Sequence, residues 1–314
     1  MNENATLKPD VANFLETIRS APPPPWESVS PEAARETFSS WGEMHCPHVD
    51  LERVADCAIH SVPVRVYHPQ PSEQLPVIIF MHGGGWVLGD LETHDTLCRQ
   101  LAVHSNCVVI AVDYPLSPGH RHPAALDACV AVTRGLRDGV LSQRYPELSF
   151  DFDRMAVAGD SAGGNLAMAV ALKLRDAGES LLSHQLLFYP VVAPDFESES
   201  YIQFADGFGL TRESMKYFWK RYVGDSEPDE YANLLKNQTF SELPETLLVL
   251  PSADVLYSEG NLLAKRLESD GVAVTRFDVT GTVHGFVHIG GFFDHGLETL
   301  KQTAKQLGRK LRNE

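Results

Sequence analysis

Short apolar segments alternate with helical patterns along most of this sequence. The apolar segments lie at residues 77–80, 107–112, 155–158, 185–189, 247–250 and 274–279, preceded by a partly exposed one around Ile59, Val64 and Val66. Those between 77 and 250 are too short for helices and apolar on both faces, as central strands of a parallel sheet are. Helical patterns lie at residues 93–104, 124–137, 163–176, 258–269 and about 296–311. This alternation predicts the α/β class, with a mostly parallel central sheet flanked by helices.

Two parts of the chain fall outside this alternation. Residues 1–50 hold short helical patterns at 11–20 and from about Pro31 onward, separated by a proline-rich turn. Residues 194–229 lie between two predicted strands and are too long for a plain connection. We therefore expect residues 51–314 to form one catalytic domain, with 194–229 inserted as a helical cap. Residues 1–50 are expected to form the N-terminal part of that cap.

The charge of the chain limits its partners. Asp and Glu number 42 and Lys and Arg number 26, so the formal net charge is −16. An acidic surface repels phosphate backbones and anionic lipid headgroups. The first residues, MNENATLKPD, lack a secretory signal pattern, and no apolar run approaches the ~18 residues of a membrane span. The sequence predicts a cytoplasmic protein that binds neither nucleic acid nor membranes.

The cysteines do not suggest a metal site or a disulfide scaffold. They are Cys46, Cys57, Cys98, Cys107 and Cys129, an odd number in which no pair has C-x-x-C spacing. Reduced, buried thiols are the simplest interpretation. We expect no metal and no organic cofactor.

The segment Gly159-Asp160-Ser161-Ala162-Gly163 has the pattern G-x-S-x-G. It follows a predicted strand and precedes a predicted helix, which is the context that a nucleophile elbow requires. A serine on such a sharp turn projects its hydroxyl, and glycines on either side avoid collisions. Ser161 is therefore the candidate nucleophile. The alternative is a glycine-rich helix start with Ser161 as N-cap.

A second glycine-rich segment, His-Gly-Gly-Gly-Trp at residues 82–86, directly follows the strand at 77–80. Acyl transfer builds negative charge on a carbonyl oxygen, and backbone N–H groups must already point at it. We expect the N–H groups of Gly83, Gly84 and Ala162 to form this oxyanion hole, and His82 to support the loop. A phosphate cradle is the alternative, but no G-K-S/T follows and no acidic ribose partner has the expected spacing.

Trp86 and Asp160 flank these motifs and are candidates for the substrate pocket. The aromatic residues of the cap are less informative, because they can line a pocket or form the core of the cap itself. We favour the second interpretation for Phe204, Phe208, Phe218 and Trp219.

A serine nucleophile needs a base, and in this type of site the base follows the nucleophile in the chain. His284 lies just after the last predicted strand, at the carboxyl edge of the sheet where sites of open α/β sheets form. His184 precedes its strand and lies at the opposite edge, whereas His288 and His295 are expected on a helix face or at the surface. We predict His284 as the base.

The base in turn needs an orienting carboxylate. Asp254 follows the strand at 247–250 and starts the loop at residues 253–256. Asp278 falls inside a strand, and Asp270 ends a helix. Asp225 and Asp229 belong to the acidic cap, where solvated charges are expected. Asp254 is therefore the predicted acid.

Together these motifs resemble the hormone-sensitive-lipase-like (family IV) bacterial esterases. The matching segments are His82-Gly83-Gly84-Gly85-Trp86, Val112-Asp113-Tyr114, Gly159-Asp160-Ser161-Ala162-Gly163-Gly164-Asn165, Ala253-Asp254-Val255-Leu256 and His284-Gly285-Phe286. Residues 89–95, GDLETHD, look most like bacterial acetyl esterases. The resemblance implies an α/β-hydrolase fold, the triad Ser161, Asp254 and His284, and a preference for short acyl chains. It is also compatible with a homodimer.

The sequence departs from the family pattern at two places. Val255 replaces the proline that usually follows the acid. The family's Tyr-Arg-Leu-Ala-Pro-Glu is here Tyr-Pro-Leu-Ser-Pro-Gly at residues 114–119, so an arginine and a glutamate are missing. We expect this to change local stability and to leave the mechanism intact.

The sequence thus predicts a serine carboxylesterase that hydrolyses short-chain, acetyl-type esters of small molecules through an acyl-enzyme. Two alternatives stay open. An amidase or deacetylase would use the same triad, and a non-catalytic binding protein would keep only the hydrolase fold.

Overall fold

A single mixed sheet organises the computed structural model, which describes residues 6–314, with only the backbone at positions 43 and 44. Over these residues the strands are β1 (Arg53–Ile59), β2 (Val62–His68), β3 (Leu75–Met81), β4 (Val108–Val112), β5 (Phe150–Asp160), β6 (His184–Phe188), β7 (Glu245–Ala253) and β8 (Val274–Val283). Their order in the sheet is β1-β2-β4-β3-β5-β6-β7-β8. β2 pairs antiparallel with β1 and β4, and all other pairs are parallel.

Helices cover the sheet. They are α1 (Pro9–Ser20), α2 (Pro31–Ser39), α3 (Asp95–Ser105), α4 (Ala124–Arg137), α5 (Val140–Arg144), α6 (Ala162–Asp176), α7 (Glu199–Gln203), α8 (Arg212–Val223), α9 (Tyr257–Ser269) and α10 (Asp294–Arg312). Every residue of β3 and β4 is buried, because helices shield both faces of these central strands. The predicted α/β class and the mostly parallel, helix-flanked sheet are confirmed.

The start of the sheet differs from the prediction. The stretch around Ile59, Val64 and Val66 was expected to be one strand, but it forms the antiparallel hairpin β1–β2. His60 and Ser61 make its two-residue turn with left-handed φ angles of 48° and 68°. Such a turn usually carries Asn-Gly or a similar pair. The sequence lacks that signal, which explains the missed hairpin.

The segments expected to form a cap are helical. Residues 6–50 contain α1, α2 and short 3-10 turns at Trp26–Ser28 and Ser40–Met44, and residues 194–229 contain α7 and α8. The Trp26–Ser28 turn packs against α8, so the N-terminal segment meets the inserted one. Lys8 N–H donates to the Gly281 carbonyl at 2.8 Å, which ties the start of α1 to β8. Residues 1–5 of the predicted cap lie outside the described residues.

All five cysteines are free thiols. Cys46, Cys98, Cys107 and Cys129 are buried as expected, whereas Cys57 is half-buried on the edge strand β1. Burial raises the pKa of the Cys46 thiol to about 12 and that of Cys107 to about 11. Within residues 6–314, none of the helices combines the length and apolarity needed to cross a bilayer.

Candidate active site

Ser161 lies on the turn that joins β5 to α6. Its φ of 55° and ψ of −118° are strained for a residue with a side chain. A Cβ on Gly159 would lie 2.3 Å from the Gly163 carbonyl oxygen, and one on Gly163 would lie 2.0 Å from that of Met81. Only glycine therefore fits at either position. The strand–turn–helix context is that of a nucleophile elbow. The Ser161 side chain makes no capping hydrogen bond to α6, unlike an N-cap serine.

The side chains of Ser161, His284 and Asp254 form one hydrogen-bonded chain. Ser161 Oγ lies 2.9 Å from His284 Nε2, and His284 Nδ1 lies 2.7 Å from Asp254 Oδ2. Because a carboxylate accepts, Nδ1 carries the proton and Nε2 is free to accept the serine hydroxyl. Asp254 is 2 % exposed, and its other oxygen accepts the Leu256 N–H at 3.0 Å. This arrangement can remove a proton from Ser161 and hold the resulting imidazolium.

The sheet explains why these distant residues meet. β5, β7 and β8 are parallel to one another, with β6 between β5 and β7. Ser161 and Asp254 each directly follow the carboxyl end of a strand, and His284 follows β8. Parallel strands present their carboxyl ends at one edge, which is where sites of α/β sheets form.

The glycine-rich loop corrects one expectation. Gly83 was predicted to donate to an oxyanion, but its N–H donates to Asp160 Oδ1 at 2.8 Å and is therefore already used. The N–H groups of Gly84 and Gly85 make no hydrogen bond to the rest of residues 6–314. Ala162 opens α6, so its N–H also lacks an intrahelical acceptor. The N–H groups of Gly84, Gly85 and Ala162 are thus free to donate.

Gly85 was missed by the sequence reasoning. Its φ is 61°, and a Cβ there would lie 2.4 Å from the ring of Phe218 on α8. The signal was present as the third glycine of the motif. Which two of three consecutive glycines keep free N–H groups depends on Asp160, which lies elsewhere in the chain.

His82 lies behind this loop. Its Nδ1–H donates to the Gly83 carbonyl at 2.8 Å, and the Tyr114 hydroxyl donates to the His82 carbonyl at 2.7 Å. The His82 and Tyr114 rings stack at 4.2 Å. Burial lowers the pKa of His82 to about 4, so its ring is neutral near pH 7. These contacts are those expected of a residue that supports the loop.

The two candidates for the substrate pocket lie elsewhere than expected. Trp86 is fully buried, and its ring stacks on Tyr222 at 4.1 Å and meets Trp219 edge-on at 4.9 Å. It therefore joins the glycine-rich loop to α8. Asp160 is buried and faces Gly83. Neither side chain lines an open pocket, because the Trp86 ring packs on other rings and the Asp160 carboxylate accepts a backbone hydrogen bond inside the protein.

The aromatic residues of segment 194–229 have two kinds of neighbour. Phe204 and Phe208 meet edge-on at 5.0 Å. Phe218 and Trp219 are buried on α8, where Phe218 rests on Gly85. Phe204 and Phe208 thus pack on each other, whereas Phe218 and Trp219 pack on the glycine-rich loop, Trp219 through its edge contact with Trp86.

The position of His288 also differs from the prediction. It was expected on a helix face or at the surface, but it is buried and stacks on His94 with ring centroids 4.2 Å apart. Its Nε2–H donates to the Thr93 carbonyl at 2.9 Å. His295 is half-buried, with Nε2 2.8 Å from the Thr282 hydroxyl. No local pattern distinguishes His288, because the rings of Phe38, His45 and His94 that pack on it come from distant segments.

Tyr189 and Glu259 also went unnoticed. The Tyr189 ring lies edge-on to His284, with centroids 4.8 Å apart. Glu259 is buried on α9, and its carboxylate accepts the Val192 N–H at 2.6 Å, just before residues 194–229 begin. Burial raises the pKa of Glu259 well above its usual range. The position of Tyr189 directly after β6 at the carboxyl edge was a usable signal, whereas Glu259 had none.

The profile of a family described as the alpha/beta hydrolase fold matches residues 78–288, which hold the glycine-rich loop and the Ser161, Asp254 and His284 cluster. The chain belongs to this α/β-hydrolase family. Among curated relatives of this hydrolase, carboxylesterase NlhH of Mycobacterium tuberculosis is 36 % identical over 234 residues, covering 73 % of this chain and 72 % of NlhH. Ethyl acetate hydrolase of Pseudomonas putida is 29 % identical over 323 residues, covering 98 % of this chain and 100 % of its own.

A solved structure agrees over nearly the whole hydrolase. Ester-hydrolase EH1AB1 from the metagenome of Lake Arreo, complexed with a derivative of bipyridine phosphonate, has a TM-score of 0.90 and 33 % identity. The match covers 97 % of this chain and 99 % of that one. The resemblance to hormone-sensitive-lipase-like bacterial esterases is thereby confirmed.

Proposed function

We propose that this hydrolase is a serine carboxylesterase acting on short-chain, acetyl-type esters of small molecules. One observation carries the proposal: Ser161 Oγ lies 2.9 Å from His284 Nε2, and the same imidazole is held by Asp254 at 2.7 Å. Ser161 is the nucleophile, His284 the general base and acid, and Asp254 the orienting carboxylate.

The reaction has two steps. His284 Nε2 takes the proton of Ser161 as Oγ attacks the ester carbonyl carbon, and the carbonyl oxygen becomes an oxyanion. When this tetrahedral intermediate collapses, the alcohol leaves with the proton from His284 and the acyl group stays on Ser161. Water, deprotonated by the same imidazole, then attacks the acyl carbon. Carboxylic acid leaves, and the proton returns to Ser161.

The oxyanion is stabilised by backbone donors. We assign this role to Gly84, Gly85 and Ala162, because their N–H groups are free and Ala162 directly follows Ser161. Gly83 is removed from the predicted set, since its N–H is bonded to Asp160. Preorganised donors of this kind are usually the largest single contribution to acyl transfer.

The preference for short acyl chains rests on the packing beside this loop. Phe218 lies against Gly85, and Trp86 is enclosed by Tyr222 and Trp219. These rigid rings restrict the space on the α8 side of the oxyanion donors. The name of the Pseudomonas putida relative, ethyl acetate hydrolase, fits an acetyl-sized acyl group.

We further propose that α1, α2, α7 and α8 act as a cap on the catalytic domain. Ser161 is only 8 % exposed, which is compatible with a cover over the site. The start of the inserted segment is held to the domain by Glu259, and α8 is held by the stack of Tyr222 on Trp86. A homodimer stays a prediction.

The test is hydrolysis of p-nitrophenyl esters from acetate to palmitate by the wild type and Ser161→Ala. Activity should peak at the shortest chains and disappear in Ser161→Ala. Ser269→Ala is the matched control, because Ser269 is an exposed serine at the end of α9 and should keep full activity.

Matched esters and anilides separate the alternatives. Preference for the anilide would replace the esterase with the amidase or deacetylase. A folded wild type that cleaves neither would favour the non-catalytic binding protein.

A further inference from the structure

Asp160 is a buried carboxylate for which acyl transfer provides no role. It precedes Ser161 in the chain, is 4 % exposed, and accepts the Gly83 N–H at 2.8 Å. A Cβ on Gly83 would lie 2.4 Å from Asp160 Oδ2, so the backbone of the loop rests directly on the carboxylate. Asp160 thus contacts the glycine-rich loop, and the next residue in the chain, Ser161, is the proposed nucleophile.

The Asp160 carboxylate lies beside an uncharged histidine ring. His94 Nε2 lies 3.4 Å from Asp160 Oδ1, the same oxygen that accepts from Gly83. The His94 ring is itself held by His288 at 4.2 Å and lies 5.3 Å from His82. Burial lowers the pKa of His94 to about 3, so the ring is uncharged near pH 7. The histidines do not suggest a cation site, since residues 6–314 contain no cluster of three or more His, Cys, Asp or Glu arranged for a metal.

This geometry decides which donors the loop offers. Asp160 holds the His82–Gly83 peptide by accepting the Gly83 N–H, and the Gly84 and Gly85 N–H groups that follow make no hydrogen bond within residues 6–314. His82 Nδ1–H donates to the Gly83 carbonyl, which belongs to the next peptide, the one that carries the Gly84 N–H. Two successive peptides are therefore held, the first at the Gly83 N–H and the second at the Gly83 carbonyl, and together they set the direction of the Gly84 N–H.

We propose that Asp160 is a positioning residue that accepts the Gly83 N–H and thereby aims the Gly84 and Gly85 N–H groups at the oxyanion. The inference rests on the proposed esterase function. The role requires a hydrogen-bond acceptor and does not require a negative charge, which next to a developing oxyanion would oppose it.

The experiment compares Asp160→Ala with Asp160→Asn in hydrolysis of p-nitrophenyl acetate. Asp160→Ala should lower kcat on the order of 10- to 100-fold, less than the ~10²–10³-fold loss when an oxyanion donor is removed outright. KM should change little, because the ground-state carbonyl depends less on these donors than the oxyanion does. Asp160→Asn keeps an acceptor oxygen and should recover most of kcat.

A second readout isolates the oxyanion. A trifluoromethyl ketone adds to Ser161 Oγ as a hemiketal, with the serine proton passing to His284 and the ketone oxygen becoming the oxyanion. Its inhibition constant should weaken in Asp160→Ala by about the same factor as kcat, and recover in Asp160→Asn. A general loss of packing would lower the melting temperature without changing kcat and the inhibition constant by the same factor.

Controls keep the outcomes distinct. Asp153→Asn changes an exposed aspartate on the same strand, β5, and should leave kcat unchanged. If Asp160→Ala does not fold, Asp160→Cys takes its place. Cysteine is close to aspartate in size, but its sulfur is only a weak acceptor for the Gly83 N–H, so kcat should again fall.

Unchanged kcat in Asp160→Ala, a change confined to KM, or failure of Asp160→Asn to recover kcat would each overturn the inference while leaving the esterase function in place. An inactive wild type, or an active Ser161→Ala, would overturn the proposed function itself.

Discussion

The ring of Tyr189 lies edge-on against the imidazole of His284, with centroids 4.8 Å apart and the planes at 61°. Tyr189 has a left-handed φ of 36° and is fully buried, and its N–H donates to the Val249 carbonyl at 2.7 Å. Strained backbone of this kind persists only where the surroundings enforce it. The contact restrains the imidazole plane of His284.

Removing this ring should impair the base. Tyr189→Phe keeps the edge contact and should retain kcat within about threefold, whereas Tyr189→Ala should lower both kcat and stability. Deletion of a buried aromatic side chain costs about 3–5 kcal/mol. Steady-state kinetics and urea denaturation measure the two effects. Equal kcat in both variants would show that the ring does not position His284.

The proposed triad predicts graded losses. Ser161→Ala should lower kcat by about 10⁶, and Asp254→Asn by about 10⁴, because the amide favours the wrong imidazole tautomer. Asp278→Asn is a suitable control, since Asp278 is an exposed residue of β8. Rates near the wild type in Asp254→Asn would remove Asp254 from the mechanism.

Gly85 should tolerate no side chain. In Gly85→Ala the new Cβ would meet the Phe218 ring at 2.4 Å, so the loop or α8 must move. If Gly85 supplies an oxyanion donor, kcat should fall about 10²–10³-fold in the folded variant. Gly119→Ala is the control, because its Cβ would lie 3.6 Å from the nearest atom, an ordinary contact. A Gly85→Ala enzyme as active as Gly119→Ala would exclude this donor.

Arg35 links the N-terminal segment to the loops around the site. Its Nε donates to the Val87 carbonyl at 2.8 Å and its Nη2 to the Ser117 carbonyl at 3.0 Å. Arg35→Ala should reduce the free energy of unfolding by about 1–3 kcal/mol, because buried carbonyls lose charged donors. Thermal or urea unfolding measures it. Arg19→Ala, at an exposed position of α1, removes one hydrogen bond to Gly207 and an exposed ion pair with Glu16, and should cost less.

Stability should fall with acid. Burial lowers the pKa of His82 to about 4 and of His94 to about 3, and that of His288 well below its usual 6.5. The unfolded chain then binds more protons below pH 6.5, so stability present above that pH is lost toward pH 4 and pH 3. Each histidine contributes a slope of about 1.4 kcal/mol per pH unit in that window.

The measurement is urea denaturation between pH 7 and pH 4. His94→Phe should flatten the pH dependence, whereas replacement of the exposed His120 by Gln should not. A pH dependence that is the same in both variants would contradict the assignment of the acid sensitivity to the buried histidines.

Residues 114–119 depart from the family pattern, because they lack its arginine and glutamate. The sequence therefore predicts altered local stability there. In the structure a guanidinium does reach this segment, but it comes from Arg35, 82 positions before Ser117. No local pattern could indicate this, because the contact depends on where α2 lies over the domain.

The sequence by itself determined the α/β class, the elbow at Ser161, and the choice of His284 and Asp254. These follow from local patterns: strand and helix periodicity, glycines at a forced turn, and the rule that parallel strands share a carboxyl edge. The hairpin at His60 and Ser61 was missed because its turn lacks the usual residues.

Only the tertiary structure decided which groups around these motifs pack against or hydrogen-bond to one another. The Gly83 N–H is unavailable for its predicted role because Asp160, 77 positions later, accepts it, and we propose the Gly85 N–H in its place. Trp86 and His288 turned out to be packed inside, against Tyr222 and His94. Burial and hydrogen-bond saturation are properties of contacts between distant segments, and no stretch of sequence contains both partners.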